Sequence, residues 1–315
     1  MLQVKKLTKR FGGLTAVADF SFHLEDHQLL GLIGPNGAGK TTVFNLLSGV
    51  YKPTSGRVIL DGRDITGLPP HRLTRRGIVR TFQNVRLMKG VSLGGNMRPV
   101  FHLKKISSLG SSLLQNSRYW QDEDFMRERI DDVLTQLGII AYRDVFVEDM
   151  PYGVQKRAEL ARALLFQPKI LLLDEPAAGL NPQETGEIME IIRQIHQSTD
   201  TSIILVEHNM KFVMGLSQKV IVMDQGFIIA EGAPEEVQAH PDVIKAYLGE
   251  RAWRKQIQAR RSDAQVAPAP QADDVSGVCM ITVVREEPEP ESSAPDAAPN
   301  AAPNAAANEK EGAPC

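Results

Sequence analysis

Residues 34–42 of the 315-residue chain read GPNGAGKTT, a glycine-rich stretch that ends in a lysine and two threonines: Gly34, Pro35, Asn36, Gly37, Ala38, Gly39, Lys40, Thr41 and Thr42. The pattern G-x-x-x-x-G-K-[ST] is that of a phosphate-binding loop. Glycines let consecutive backbone N–H groups curl around a phosphate, Lys40 meets the β and γ oxygens, and the Thr41 hydroxyl is a ligand for Mg²⁺. The stretch therefore predicts a site for the phosphates of ATP or GTP.

The residues on either side of the loop support this interpretation. Residues 28–33 are a short, mostly apolar run suited to a buried strand. Residues 42–47 continue as a helix, whose N-terminus directs positive charge at an anion. A glycine-rich turn that arises by chance is the alternative, and a strand and a helix in the right places make it the weaker one.

The composition indicates a protein without a membrane span of its own. The longest apolar runs, such as 170–173 and 203–206, are far shorter than the roughly 18 to 20 residues that a span needs. The start of the chain lacks the long apolar core of a secretory signal, so we expect the protein to stay in the cytosol. Cys279 and Cys315 are the two cysteines and have no metal-ligand spacing.

Charge is unevenly distributed along the chain although the net charge is −2. Residues 251–262 contain basic but no acidic residues, which indicates either the solvated end of the last helix or a contact with a membrane surface or an acidic partner. Residues 263–315 are acidic and rich in Pro and Ala, so we predict a disordered tail. The remaining body is nearly neutral, which argues against nucleic acid as a partner.

Strands alternate with helices over residues 1–250, which indicates an α/β fold. Buried central strands are expected at 170–173, 203–206 and 220–223, because these runs are apolar throughout. Hairpin or edge strands are expected near residues 58–60 and 228–230, each followed by an acidic residue and glycine. From about residue 87 to 166 no strand is evident. Apolar residues recur there at helical spacing: Phe125, Ile130, Val133, Leu134 and Leu137.

Two adjacent carboxylates, Asp174 and Glu175, follow the apolar run 170–173. A carboxylate at the end of such a strand can hold Mg²⁺ through its water shell, and a second can orient or deprotonate an attacking water. We assign Asp174 to the metal and Glu175 to the role of general base. Acids are common at solvated strand ends, so the pair is informative only together with the phosphate loop.

The order of the motifs resembles that of the nucleotide-binding subunit of ATP-binding cassette (ABC) transporters. The resemblance implies ATP and Mg²⁺ as cofactors and a P-loop NTPase core of mainly parallel sheet, with an antiparallel β subdomain and an inserted α-helical subdomain at about 87–166. It rests on six elements in sequence: the phosphate loop, Gln83 within 81–84, residues 150–155, Asp174 with Glu175, residues 178–181, and His208 after the apolar run 203–206.

The resemblance also assigns roles to individual residues. It implies that Gln83 contacts Mg²⁺ and senses both the γ-phosphate and the membrane partner, and that His208 contacts the γ-phosphate. Residues 178–181 would communicate across a dimer. Phe11 occupies the position where the family places an aromatic ring against adenine, with Val17 as its neighbour. That Phe11 is simply a core residue is the alternative.

The signature segment, residues 150–155, departs from the common form LSGGQ by having Pro151 for the serine and Val154 for the glutamine. The family uses this segment to bind the γ-phosphate held by the other subunit, which implies that role for Pro151, Tyr152 and Gly153. Proline removes a hydroxyl and an N–H but suits the first position of a helix, so the positive helix end remains. We expect the site that this segment completes to be weakened.

Residues 80–87, 207–210 and 246–250 resemble most closely the import ATPases for branched-chain amino acids, the LivG-like subunits. The resemblance implies uptake of leucine, isoleucine and valine. It also implies a second ABC ATPase subunit of the same or a related kind, two transmembrane permease subunits, a periplasmic binding protein, and a peripheral location on the cytoplasmic face of the cell membrane. Importers of urea and amides share these motifs and remain an alternative.

Two other classes of function are weighed against an import ATPase. A soluble ABC ATPase of translation or DNA repair would usually contain two cassettes or a long coiled coil, and this chain has one cassette and no sustained heptads. A regulatory module that has lost catalysis would fit Pro151 and Val154. The intact Lys40, Glu175 and His208 argue against it.

Overall fold

The computed structural model describes residues 1–81, 85–103 and 117–247, which belong to one compact unit. Its strands are β1 (Leu2–Phe11), β2 (Leu14–Leu24), β3 (Leu29–Ile33), β4 (Ser55–Leu60), β5 (Arg63–Asp64), β6 (Ile78–Arg80), β7 (Ile170–Asp174), β8 (Ser202–Val206), β9 (Lys219–Asp224) and β10 (Phe227–Gly232). Its α-helices are α1 (Lys40–Leu47), α2 (Pro70–Arg75), α3 (Leu93–Met97), α4 (Pro99–Leu103), α5 (Ser117–Gln136), α6 (Tyr152–Leu164), α7 (Pro182–Ser198), α8 (Met210–Leu216) and α9 (Pro234–Ala239).

The larger sheet is mainly parallel and has the strand order β10-β9-β3-β8-β7-β6. Among its described strands, only β10 runs antiparallel to its neighbour. Every residue of β3, β7 and β8 is buried, which explains why these strands are apolar apart from Asp174 at the end of β7 and Ser202 at the start of β8. The carboxyl ends of β3, β7 and β8 lie at one edge of the sheet, where α/β proteins bind their ligands.

The smaller sheet is antiparallel, with the order β2-β1-β4-β5. Its inner side chains, among them Leu7, Phe20 and Leu24, form one apolar cluster with Val43 and Phe44 of α1. A hydrogen bond from the Ala18 N–H to the Gly226 carbonyl oxygen, 2.9 Å long, joins β2 to the turn between β9 and β10. The small sheet is thereby fixed beside the helix that follows the phosphate loop.

Helices α3 to α6 and two 3-10 turns, Ile140–Tyr142 and Val147–Asp149, occupy the stretch for which a helical subdomain is predicted. In α5 the buried face includes Met126, Ile130 and Leu134, whereas Phe125 is 49% exposed. Phe125 is therefore not part of the face that packs, although its spacing suggested so. No helix within the described ranges is both long and apolar enough to cross a membrane.

The predicted boundary near residue 250 lies just beyond the described residues. The basic stretch 251–262 and the acidic tail 263–315 lie wholly outside them. Residues 241–247 form a short helix and are the last ones described. The division of the chain into these segments stays a prediction.

Candidate functional site

The phosphate loop joins β3 to α1, and two of its glycines leave no room for a side chain. Gly34 has a φ of +150°, and a Cβ there would lie 2.1 Å from the carbonyl oxygen of Met223. Gly39 is the N-cap of α1 with a φ of +104°, and a Cβ would lie 2.6 Å from the carbonyl oxygen of Ala16. Glycine is required at both positions, because the loop must curve tightly against these neighbouring strands.

Lys40 is the first residue of α1, and its side chain is buried. The Nζ atom donates hydrogen bonds to the carbonyl oxygens of Gly34, at 2.6 Å, and Pro35, at 2.9 Å. Burial lowers the pKa of Lys40, while the nearby carboxylate of Glu175 acts in the opposite direction. The ammonium group is held over the loop, where phosphate oxygens can replace the carbonyl oxygens as charge-assisted acceptors.

A cavity of about 660 Å³ brings the phosphate loop together with two predicted catalytic residues. Residues 36–42 form one wall, and Glu175 and His208 reach it from the ends of β7 and β8. Residues 14–16 and Gln225 line the remainder. Its size falls within the range of roughly 300 to 1,000 Å³ that is usual for small-molecule sites.

Glu175 and His208 contact each other directly. The distance between Glu175 Oε1 and His208 Nε2 is 2.6 Å, and the Glu175 side chain is mostly buried whereas that of His208 is half-exposed. Glu175 has a φ of +49°, in the left-handed region that residues other than glycine rarely adopt. Its N–H donates to the Val206 carbonyl oxygen at 2.9 Å. Backbone strain of this kind clusters at functional sites.

Glu207 is a positioning residue that sequence reasoning missed. Its buried carboxylate accepts hydrogen bonds from the N–H of Ala177, at 2.7 Å, and from the N–H of His208, at 3.1 Å. Burial raises the pKa of Glu207. The carboxylate therefore joins the loop after Glu175 to the loop that carries His208. The signal in the sequence was an acidic residue that lies directly between an apolar run and a histidine.

Asp174 is buried at the end of β7 and, among the described residues, is not part of the cavity lining. Its Oδ2 accepts a 2.6 Å hydrogen bond from Nη2 of Arg80. The Thr41 hydroxyl and the Asp174 carboxylate are hard oxygen donors, and Mg²⁺ in nucleotide sites takes only one or two such protein ligands besides phosphates. The two residues fit the metal. Gln83, the third residue assigned to it, lies outside the described residues.

The segment that follows Gln83 is tied to α6 at Arg86. The backbone N–H of Arg86 donates to the carboxylate of Glu159 at 2.6 Å, and its carbonyl oxygen accepts from Arg162 at 2.6 Å. Glu159 is buried, and burial raises its pKa. Glu159 and Arg162 therefore fix the position of the backbone at Arg86, three residues after Gln83. Sequence reasoning missed them because their partner is a backbone group.

The signature segment lies apart from this cavity. Helix α6 begins at Tyr152, so Pro151 is the N-cap rather than the first helical residue, and no side chain of the described residues caps the helix. Pro151 and Tyr152 are exposed, whereas Gly153 is buried. A Cβ on Gly179 would lie 3.1 Å from the Tyr152 ring, so the segment 178–181 packs against the signature segment of the same chain.

The two residues assigned to adenine occupy different environments. Phe11 is 42% exposed and packs edge-on against Tyr51, with ring centroids 5.3 Å apart. Lys9 places its Nζ 5.0 Å from the Phe11 ring centroid. Val17 is fully buried in the core, and the neighbouring residues 14–16 line the cavity in its place. Phe11 is exposed but is not among the described residues that line the cavity. The buried Val17 side chain has no surface to offer to adenine.

Comparisons with known proteins agree with this geometry. The model of the ABC transporter family matches residues 17–178, and that of the branched-chain amino acid ATP-binding cassette transporter matches residues 228–252. A solved ATP-binding cassette of an ABC transporter in its ADP conformation is similar with a TM-score of 0.69 and 29% identity, over 79% of this chain and 99% of that chain. The fold class predicted from the sequence is confirmed.

Two curated relatives are similar over nearly their whole length. The chain is 44% identical to the high-affinity branched-chain amino acid transport ATP-binding protein LivG of Salmonella typhimurium and 42% identical to BraF, of the same description, from Pseudomonas aeruginosa. Each comparison spans 250 residues, which are 79% of this chain and 98% of the relative. The chain thus belongs to the family of ABC transporter ATP-binding proteins, in its branched-chain amino acid group.

Proposed function

We propose that this chain hydrolyses ATP with Mg²⁺ and thereby energises the import of branched-chain amino acids through partner membrane subunits. The observation that supports hydrolysis best is the single cavity that joins the phosphate loop to the contacting pair Glu175 and His208. A phosphate cradle next to a carboxylate base is the arrangement that phosphoryl transfer to water needs.

Each residue has a defined part in this reaction. Lys40 exchanges its two carbonyl acceptors for phosphate oxygens when the nucleotide binds. Glu175 accepts a proton from the water that attacks the γ-phosphorus, and ADP leaves as the bond from the γ-phosphorus to the bridging oxygen breaks. His208 holds the Glu175 carboxylate at 2.6 Å and offers its imidazole to the γ-phosphate. Thr41 and Asp174 would hold Mg²⁺, which neutralises the charge that develops on the phosphates.

The exposed start of α6 supports a second subunit as partner. Pro151 and Tyr152 are exposed on the surface and lie apart from the cavity of their own chain. We infer that they face the phosphates of a second cassette, either another copy or a related chain. The partially positive N-terminus of the helix would then act on the γ-phosphate held by the partner.

A groove of about 880 Å³ is the proposed contact for a membrane subunit. It lies between α2, β6 and the end of α6, and basic side chains contribute to it: His71, Arg75, Arg76, Arg80, Arg162 and Lys169. A helix C-terminus or an acidic side chain of a permease would suit this charge. With permeases as partners, the chain would lie on the cytoplasmic face of the membrane.

The test is to coexpress the full chain with its permease subunits and its partner ATPase, and then to assay transport by this complex in sealed vesicles. We expect ATP-dependent accumulation of labelled leucine that unlabelled isoleucine and valine suppress and that urea does not. Lys40→Ala should abolish accumulation and hydrolysis together. Suppression by urea or an amide would identify a different solute. If no coexpressed membrane subunit copurified with the chain, the result would favour a soluble ATPase.

A further inference from the structure

Arg80, the last residue of β6, places a buried cation directly on the carboxylate assigned to Mg²⁺. Its Nη2 lies 2.6 Å from Asp174 Oδ2, and the two side chains are only 8% and 6% exposed. At this burial, water screens the charges weakly, so each strongly affects what the other can bind.

The guanidinium is also fixed to the helix of the phosphate loop. Nη1 donates to Oδ1 of Asn45 at 2.7 Å and to Oγ of Ser48 at 2.9 Å. The guanidinium carbon lies 5.7 Å from the centroid of the Phe44 ring. Arg80 therefore links β6, α1 and β7, and these contacts hold its charge in one position.

A buried ion pair is by itself weak support for stability, since apolar residues of similar volume often serve as well. Here the carboxylate cannot be replaced without losing a metal ligand. A carboxylate buried without a counter-charge is costly, so Asp174 needs a cation whenever Mg²⁺ is absent. Arg80 binds one oxygen, Oδ2, and Oδ1 remains for the water shell of a metal.

We propose that Arg80 is the resident counter-ion of Asp174: it neutralises this carboxylate when Mg²⁺ is absent, and it opposes Mg²⁺ binding by charge repulsion. Arg80 thereby sets the Mg²⁺ concentration at which the site takes up nucleotide. The inference rests on the proposed Mg²⁺-dependent ATP site. Arg80 also lines the groove proposed for the membrane subunit, so one side chain contacts both the metal ligand and that surface.

The test measures binding of a fluorescent ATP analogue to the full chain while Mg²⁺ is titrated. Arg80→Gln removes the charge, and we expect the Mg²⁺ concentration for half-maximal binding to fall about tenfold. Arg80→Lys keeps the charge and should stay within about twofold of the unchanged protein. Arg57→Gln, at an exposed position on β4, is the matched control for loss of one positive charge and should leave the titration unchanged.

An unchanged or higher Mg²⁺ requirement in Arg80→Gln overturns the proposal, and so does an equal shift in Arg80→Lys. If Arg80→Gln does not fold, Asn45→Asp is the deciding variant. An acidic side chain 2.7 Å from the guanidinium would partly neutralise its positive charge, so Arg80 would oppose Mg²⁺ at Asp174 less strongly and the Mg²⁺ requirement should fall. No shift in this variant overturns the proposal. Absence of Mg²⁺-dependent binding in the unchanged protein contradicts the proposed function instead.

Discussion

Glu175 combines an unusual backbone conformation with a close histidine partner, which makes it the residue whose replacement is most informative. Glu175→Gln keeps the shape of the side chain but cannot accept a proton from water. We expect hydrolysis to fall by about 100-fold or more, because general base catalysis typically contributes that much. Phosphate release by the assembled transporter measures the rate, and nucleotide retained after gel filtration shows that binding survives.

Glu190→Gln is the matched control for this variant. Glu190 is exposed on α7, where its partner is Arg193 on the same helix. The same chemical change there should leave hydrolysis unaltered. Undiminished steady-state hydrolysis in Glu175→Gln would remove Glu175 from the role of base.

The sequence predicts that Lys40, Glu175 and His208 share one site, from the phosphate-loop motif, the end of an apolar strand and the family resemblance respectively. All three line one cavity, because parallel strands end at one edge of a sheet. Nothing in the sequence placed Arg80 or Glu207 there. Arg80 is 94 positions from Asp174, and Glu207 is 30 positions from Ala177. No motif links such pairs, since their contacts arise only when the strands take their order in the sheet.

At the scale of elements, the start of α6 carries the main departure from the family pattern. Pro151 is the N-cap but offers no side-chain acceptor to the helix. Pro151→Ser would supply a hydroxyl that caps the helix or reaches the phosphate of a partner. We expect the ATPase rate of the assembled transporter to rise about fivefold, the effect of one hydrogen bond of ~1 kcal/mol.

Pro151→Ala separates the hydroxyl from the loss of the proline ring. It should keep the rate close to that of the unchanged protein. If Pro151→Ser does not exceed Pro151→Ala, the weakness assigned to this segment does not come from the missing hydroxyl.

Helix α6 also holds the segment after Gln83 through Glu159, and this contact should depend on pH. Burial raises the pKa of Glu159 above its ordinary value of 4.5. The folded protein therefore holds a proton that the unfolded chain has already lost. This contribution to stability is complete below pH 4.5 and is lost as the pH rises through the raised pKa.

Glu159→Gln removes this titration and keeps an oxygen for the Arg86 N–H. We expect the midpoint of urea unfolding to fall more steeply for the unchanged protein than for Glu159→Gln as the pH rises from 4.5 to neutrality. Glu190→Gln, at an exposed site, should follow the unchanged protein. Parallel profiles for all three proteins would show that Glu159 does not titrate in this range.

For the whole molecule, the fold class could be predicted because the buried strands are mostly apolar and hairpins have glycine turns. The order of strands could not be predicted from these runs. Strand β3 lies between β8 and β9, which follow it by more than 160 positions, and the pairing depends on packing of the complete sheet. Spacing likewise failed to show that Phe125 is exposed, since apolar periodicity does not reveal which face has a neighbour.

We expect activity to depend on protein concentration, because we propose that a second chain completes the site. In the cassette purified alone, we expect the ATPase rate per chain to rise with concentration and then level off, because association precedes hydrolysis. The measurement is a dilution series of phosphate release, with Glu175→Gln as the background. A rate per chain that is constant over the series would show that one chain hydrolyses ATP by itself.

Lys156, in the second turn of α6, can be used to measure chemically how often the start of this helix opens. Its amine is buried near the carboxylates of Glu159 and Glu207, and burial lowers its pKa. Burial keeps reagents away from the amine, and exposure would return its pKa toward the ordinary value, so acylation requires this part of the helix to open. The acylation rate of Lys156, read by mass spectrometry of its peptide, would therefore follow how often the start of α6 opens during a transport cycle.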